Sequence, residues 1–367
     1  MRPQLPSAHE LMPYLQRIDA QRWYTNFGPL QEEFLHALTT QQAEREQAAL
    51  HGCLLASATA GLELALAALD LRAGSRVAVP ALSFPATATA VQRCGHQPVV
   101  ADVDPETWLL DPRTLDPART RKAGLDAVMP VASFGMPQSA AAWSAWSAQS
   151  GLPVIVDAAA AWGSQDTAEG VDAVFSLHAT KPLSSGEGGL VLSRNARRIQ
   201  RLQRMANFGI AHGQPTPAGN AKLSEYHAAV GLAHLQLWPE QLRRRRRLRD
   251  RYRQGLRRCE ATGLRWQTDT GLVAPSVLCI RLRDATQRDA CEAALTAAGV
   301  QTRRWYQPLL HQQPMLGALE RLGPLPVATA LSEELLGLPF FIDLAPEDVD
   351  TIVGIITGMC VPATGGT

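Results

Sequence analysis

The chain has 367 residues, of which 46% are hydrophobic and 19% charged, enough to bury a large core and exclude disorder over most of its length. Thirty-five basic residues against 34 acidic ones leave a net charge of +1, without the basic excess of a nucleic-acid binder. No apolar run reaches the ~20 residues of a membrane-spanning helix; Leu54–Leu69 is shorter and contains Glu63.

The amino-terminal MRPQLPSAHELMPYL lacks the continuous apolar segment and small-residue cleavage site of a signal peptide. From Cys53 onward the chain alternates. The run CLLAS meets Thr59–Ala60–Gly61 and then a helical stretch through Leu62, Leu66 and Leu69. Arg76–Val79 is expected as a strand, Pro85–Arg93 as a helix, and Gln97–Ala101 and Ala127–Val131 as strands. Ala140–Gln149 has helical spacing, whereas Leu152–Val156, Ala173–Ser176 and Gly189–Leu192 read as strands. Strands alternating with helices predict a largely parallel sheet covered on both faces.

Ser224–Gly255 predicts one long helix or two in line, with Pro239 marking a kink or break. Beyond it come shorter strands, Ser276–Arg281 and Val300–Tyr306, around a helix over Gln287–Ala298. The shift in composition places a large domain at residues 1–237 and a smaller one at 238–367. The closing PATGGT is expected to fray. The run Arg243–Arg247, with Glu240 and Asp250 nearby, reads as a solvated or subunit-facing helix surface. The six cysteines form no CxxC pair. They read as buried thiols in a reducing cytosol, so the expectation is a cytoplasmic protein with no metal site, no membrane and no nucleic acid as partner.

Three segments carry chemistry. In Ser57–Ala58–Thr59–Ala60–Gly61, small residues at a strand-to-helix junction can turn backbone N–H groups toward an anion; an ordinary helix cap would use the same residues. Asp157 ends the apolar run Val154–Ile155–Val156, where open α/β sheets bind ligands. A buried carboxylate there needs a cation, either a protein arginine or the protonated ring nitrogen of a cofactor. Lys181 follows Phe175–Ser176–Leu177–His178 and precedes the glycine-rich Ser185–Gly189. The chain has only three lysines, Lys122, Lys181 and Lys222. A lysine kept at such a turn suits imine chemistry, which a permanently charged guanidinium cannot perform. Lys122, beside Arg119 and Arg121, reads as a loop charge, and Lys222 is the weaker rival. An anion cradle, a carboxylate and an imine-forming amine together are what pyridoxal 5'-phosphate (PLP) requires.

With these residues the chain resembles the DegT/StrS-type sugar aminotransferases, within the fold-type-I PLP-dependent enzymes. The resemblance runs from Asn26–Phe27–Gly28–Pro29 through SATAGLELALAAL, VAVPALSFPATATAV, PVVADVDPETWLLDP, VDAAAAWG, FSLHATKPLSSGEGGLV and AGNAKLSEYHAAVGLAHLQL to RRWYQPLLHQQP and LPFF. It implies an α/β fold: a large domain with a mostly parallel mixed sheet sandwiched by helices, plus a smaller C-terminal α+β domain. Lys181 would hold PLP as an internal aldimine and shuttle a proton, and Asp157 would keep the pyridine nitrogen protonated. Phe84 would stack on the ring, while Ala58, Thr59 and Ser176 would bind the phosphate. Asn220 would reach the phosphate of the neighbouring subunit, which implies a homodimer with shared active sites. His178, Arg303, Arg304, Tyr306 and His311 lie where similar enzymes meet their substrates. The implied reaction moves an amino group from an amino acid, L-glutamate, to a nucleotide-linked keto-sugar in two ping-pong halves.

The sequence also departs from the family pattern. Ala160 replaces the usual glutamine three positions after the aspartate, and Trp162 is a candidate to pack into that space. Ala58 replaces a glycine. In VASFG, Ala132 and Phe134 stand where a histidine before a Tyr–Gly pair is usual. Members with histidine in place of the lysine dehydrate their substrates, and Lys181 disfavours that reaction. These departures leave two rivals open: a non-sugar ketone acceptor such as a cyclitol or natural-product intermediate, and a PLP-binding regulatory protein without turnover.

Overall fold

The computed structural model describes residues 2–116, 120, 122–210, 219–269, 273 and 275–360. The PATGGT tail, Arg119 and Arg121 lie outside the described residues. The apolar runs form β1 (His51–Leu55), β2 (Arg76–Pro80), β3 (Gln97–Ala101), β4 (Ala127–Val128), β5 (Val154–Asp157), β6 (Val171–Ser176) and β7 (Gly189–Ser193). With β10 (Glu320–Arg321) they make the main sheet among the described residues, in the order β1-β7-β6-β5-β4-β2-β3-β10. Every pairing from β6 to β10 is parallel; β7 alone runs antiparallel to its neighbours β1 and β6.

Side chains alternate across this sheet because successive Cβ atoms of a strand point to opposite faces. Ile155, Val174 and Val191 join one core with Leu62, Val91 and Leu202. Val154, Val156, Phe175 and Leu190 join the other with Phe34, Trp143 and Trp238. Burial of both faces explains why VAVP and VIVD read as continuous apolar runs. Helices Ala58–Ala67, Pro85–Arg93 and Ala196–Ala206 cover the first face. Pro29–Glu46, Ala140–Ser150 and the first half of Glu225–Gly255 cover the second.

The helix Glu225–Gly255 continues through Pro239. Its beginning packs through Ala228, Ala229 and Leu232 on the second core. Its end carries Tyr252 into a third core, formed with Leu256, Cys291, Leu295 and Ile352. That core lies against a smaller antiparallel sheet, β11-β9-β8, built from β8 (Arg265–Trp266), β9 (Leu278–Arg281) and β11 (Leu335–Leu338). Between β9 and β11 the chain returns to the large sheet: Leu309, Leu310 and Leu331 join the first core, and β10 pairs with β3.

The predicted strand Val300–Tyr306 is absent. Only Arg303 bridges Gly337, because Gly337 leaves the space that the Trp305 ring occupies. A Cβ on Gly337 would stand 2.6 Å from that indole. The chain therefore peels away and brings Tyr306 onto Phe134, with ring centres 5.3 Å apart and planes 10° from parallel.

Candidate active site

The carboxyl ends of β2, β5 and β6 lie on one edge of the sheet, and the β1–helix junction and the start of β7 lie there too, since Leu55 and Ser176 both pair with Gly189. This edge is where parallel sheets leave room for ligands. At the first junction, Ser57 caps helix Ala58–Ala67, its Oγ accepting from the Ala60 amide at 3.1 Å. Among the described residues, no acceptor meets the Ala58 or Thr59 amide, and the Thr59 hydroxyl is unpaired. Gly189 lies against this turn: a Cβ there would fall 2.3 Å from the Ser57 carbonyl oxygen. Ser176 is buried, its Oγ accepting from the His178 amide at 3.3 Å. Free amides at a helix start, flanked by hydroxyls, form an anion cradle.

Asp157 is 4% exposed. The Thr87 hydroxyl donates to its Oδ2 at 2.6 Å and the Ala159 amide to Oδ1 at 3.1 Å. No described arginine or lysine makes a salt bridge with it, so the protein arginine allowed as its cation by the sequence is absent. Burial pushes its pKa up; the two hydrogen bonds and the charge of Lys181 oppose that shift. Lys181 shows the reciprocal behaviour. Burial draws its pKa down and the Asp157 charge resists, so the two groups share one electrostatic environment. No described residue hydrogen-bonds the Lys181 amine. Lys222, the rival, is committed elsewhere: its Nζ donates to Asn207 Oδ1 at 2.8 Å and lies 4.9 Å from the Phe208 ring centre. Phe84 immediately precedes the helix that carries Thr87 and is 58% exposed, a large apolar ring left uncovered.

The loop bearing Lys181 is braced from below. The Ser184 amide donates to His234 Nδ1 at 3.0 Å, and His234 Nε2 meets Gln241 Oε1 at 2.8 Å. The Ser184 hydroxyl donates to the Leu177 carbonyl at 3.1 Å, and the Lys181 amide donates to His178 O at 2.9 Å. His234 and Gln241 come from the helix Glu225–Gly255, far away in sequence, and sequence reasoning missed them, as it missed Thr87.

The remaining candidates fall in several places. His178 Nδ1 lies 2.8 Å from Glu187 Oε1, in an exposed pair. Arg303 is exposed and tied by its backbone to Gly337. Arg304 is held on the small-domain surface, its Nε 2.7 Å from Glu292 and an Nη 2.9 Å from Asp289. Tyr306 feels the Asp157 charge, and burial is the main cause pushing its hydroxyl pKa up. His311 Nδ1 is buried without a partner among the described residues, and burial first, then Arg321, lowers its pKa. Asn220 is exposed and bridges Asn207. Gly135, next to Phe134, packs against the Ala160 carbonyl, which would lie 2.8 Å from a Cβ there. Trp162 turns its edge to Phe175, with ring centres 5.4 Å apart.

The chain is similar to known proteins over nearly its whole length. The dTDP-4-amino-4,6-dideoxy-D-glucose transaminase of Escherichia coli is 29% identical over 97% of each chain. The crystal structure of a putative PLP-dependent aminotransferase from Bacillus cereus superposes with a TM-score of 0.88 at 27% identity, covering 97% of this chain and 98% of that one. DesI, crystallised in the presence of its TDP-sugar product, superposes with a TM-score of 0.85 at 30% identity, covering 97% and 91%. No described helix is long and apolar enough to cross a membrane. The profile of the DegT/DnrJ/EryC1/StrS aminotransferase family matches residues 7–357, and the chain belongs to that family of aminotransferases, whose cofactor is pyridoxal phosphate.

Proposed function

We propose that this enzyme moves an amino group from L-glutamate to a nucleotide-linked keto-sugar in two ping-pong half-reactions, with Lys181 as the reacting amine. The observation that carries this reading is that Asp157, on the carboxyl edge of the sheet, and Lys181 are both buried and feel each other's charge without a salt bridge between them. The residues fit PLP. Among the described residues the buried carboxylate makes no salt bridge, and the Ala58 and Thr59 amides meet no acceptor. A protonated ring nitrogen and a phosphate would complete them. The sugar-nucleotide chemistry in the names of the E. coli transaminase and DesI supports the choice of acceptor.

When bound, PLP supplies an aldehyde that condenses with amines and a ring that accepts the electron pair of a broken C–H bond. Asp157, steadied by Thr87 and Ala159, would keep a proton on the ring nitrogen. Ala58, Thr59 and Ser176 would hold the phosphate at the positive end of a helix. Phe84 would cover the ring. Lys181, its proton affinity lowered by burial, is free to take the proton from the donor's α-carbon and deliver it elsewhere on the same face. His178, Arg303, Arg304, Tyr306 and His311 are the substrate-side candidates.

We further propose a homodimer in which Asn220 completes the partner's phosphate site. The exposed Phe208 and Ile210 flank Asn220 through the Asn207–Asn220 bridge, and the exposed Tyr24 and Tyr226 stack at 6.3 Å. Uncovered aromatic and aliphatic groups of this kind mark association surfaces.

A second reading, a non-sugar ketone acceptor, is favoured by one observation. Phe134, stacked on Tyr306 and edge-on to Trp108, with Ala160 nearby, makes this wall more apolar than the family pattern. Spectral titration separates the two. The holoenzyme should lose its absorbance near the visible edge with L-glutamate and regain it with the true acceptor. A nucleotide keto-sugar that restores the band supports the first reading; restoration by a cyclitol ketone alone supports the second. Lys181→Ala should lower turnover by about 10⁴-fold, the upper range for a lost general acid–base. Normal transamination by that variant would end the proposal.

A further inference from the structure

Asp157 ends β5, and the anion cradle lies to one side of it. Ser176 ends β6, the next strand, and Ala58 and Thr59 follow β1 beyond. The other side belongs to β4 and β2. There Val131 bridges Asp157, and the Ala132 amide donates to the Asp157 carbonyl at 2.9 Å. The chain then turns through Ser133, Phe134 and Gly135, with Phe134 in the left-handed region at φ 63°. Tyr306 stacks on the Phe134 ring, while Trp108 holds that ring from its edge, with centres 6.2 Å apart. Further along, the Leu310 amide donates to the Ala81 carbonyl at 3.1 Å, between the end of β2 and Phe84. Tyr306 is thus pinned on the flank of Asp157 that faces away from the cradle.

Its hydroxyl has no partner there. Tyr306 is half-buried, and no described residue hydrogen-bonds its oxygen. Burial, then the charges of Cys279 and Asp157, push its pKa up, so at neutral pH the group is a donor. Ala160, whose carbonyl packs against Gly135 on the same flank, has only a methyl group to offer.

We infer that the Tyr306 hydroxyl donates to the phenolic oxygen of PLP. This rests on the cofactor reading above, and it moves Tyr306 from the substrate side to the cofactor. A pyridoxal ring carries its phosphate arm and its phenolic oxygen on opposite sides of the line from ring nitrogen to aldehyde carbon. With the nitrogen at Asp157 and the phosphate toward β6 and β1, the phenolic oxygen faces β4 and β2, where Tyr306 is fixed. A hydrogen bond donated to that oxygen favours its anionic form. The same bond withdraws electron density from the neighbouring imine nitrogen and lowers its affinity for a proton.

The test titrates two ligands calorimetrically into cofactor-free protein: PLP, and 3-deoxypyridoxal phosphate, which lacks the phenolic oxygen. Tyr306→Phe keeps the ring that packs on Phe134 and removes only the hydroxyl. Its Kd for PLP should rise about tenfold, as for a lost hydrogen bond to a charged group. Its Kd for the deoxy analogue should stay at the wild-type value. In the holoenzyme, the pH midpoint of the visible absorbance change should rise by about one unit. Ser133→Ala, which removes the other hydroxyl of this wall, should alter neither. The inference is overturned if Tyr306→Phe binds PLP normally with an unmoved midpoint, if it weakens both ligands equally, or if Ser133→Ala produces the loss instead. A change confined to the KM of a substrate returns Tyr306 to the substrate side and overturns it too. Should Tyr306→Phe fail to fold, equal affinity of the wild-type protein for the two ligands overturns it. Wild-type protein that binds neither ligand rejects the cofactor reading itself, and this assignment with it.

Discussion

Asp157 shows how a single buried charge records its missing partner. Its folded pKa is raised above the ordinary 3.8, chiefly by burial. The contribution to stability is therefore fully present below about pH 3.8 and is lost as pH rises through the raised value. At neutral pH the ionised carboxylate is a cost to the cofactor-free protein. Asp157→Asn should remove it, because the Thr87 hydroxyl can rotate to accept from the new amide. Cofactor-free Asp157→Asn is expected to melt about 2 °C higher than wild type at pH 8, with the gap closing toward pH 4, while losing affinity for PLP. Thermal melts across that range check the sign; a gap independent of pH would contradict it. At this scale the sequence was legible where chemistry depends on position along a strand. Asp157 and Lys181 could be picked out because one ends an apolar run and the other is one of only three lysines. Thr87 and His234 could not, since each matters through a tertiary neighbour that no local pattern announces.

Elements were legible wherever burial on both faces made apolar runs continuous, as in β2, β5 and β6. The segment Val300–Tyr306 was misread because its apolar and aromatic residues serve a wall rather than a ladder. The opening motif Asn26–Phe27–Gly28–Pro29 gains its reason only in three dimensions. The buried Glu225 carboxylate accepts from the Leu30 and Gln31 amides at 2.8 and 2.9 Å, capping helix Pro29–Glu46 from another helix. The sharpest constraint between elements is at Gly189, where the strand and the Ser57–Ala58 turn approach too closely for a Cβ. The obstructing atoms are backbone, so relief requires the turn itself to shift. Gly189→Ala should destabilise the fold by about 1–3 kcal/mol and weaken PLP binding together with it. Denaturant melts and a PLP titration measure both; unchanged values would show that the turn yields freely.

At the scale of the whole molecule, the proposed dimer makes a numerical prediction. If each site needs Lys181 from one subunit and Asn220 from the other, a Lys181→Ala chain and an Asn220→Asp chain complement each other. Random pairing makes half of the dimers mixed, and each mixed dimer has one intact site, so co-expression should restore about a quarter of wild-type activity. Activity no greater than the sum of the separate variants would exclude shared sites. The division of the chain near residue 237 was inferred from a change in composition. The structure shows why that change is gradual: one helix serves the cores on both sides, and residues 309–331 return to the large sheet.

That shared helix also acts as a splint. It is fixed at Trp238 in one core and at Tyr252 in the other. At 1.5 Å per residue the two anchors stand about 21 Å apart. The spacing of the two cores is therefore set by one continuous rod of backbone rather than by a pliable linker.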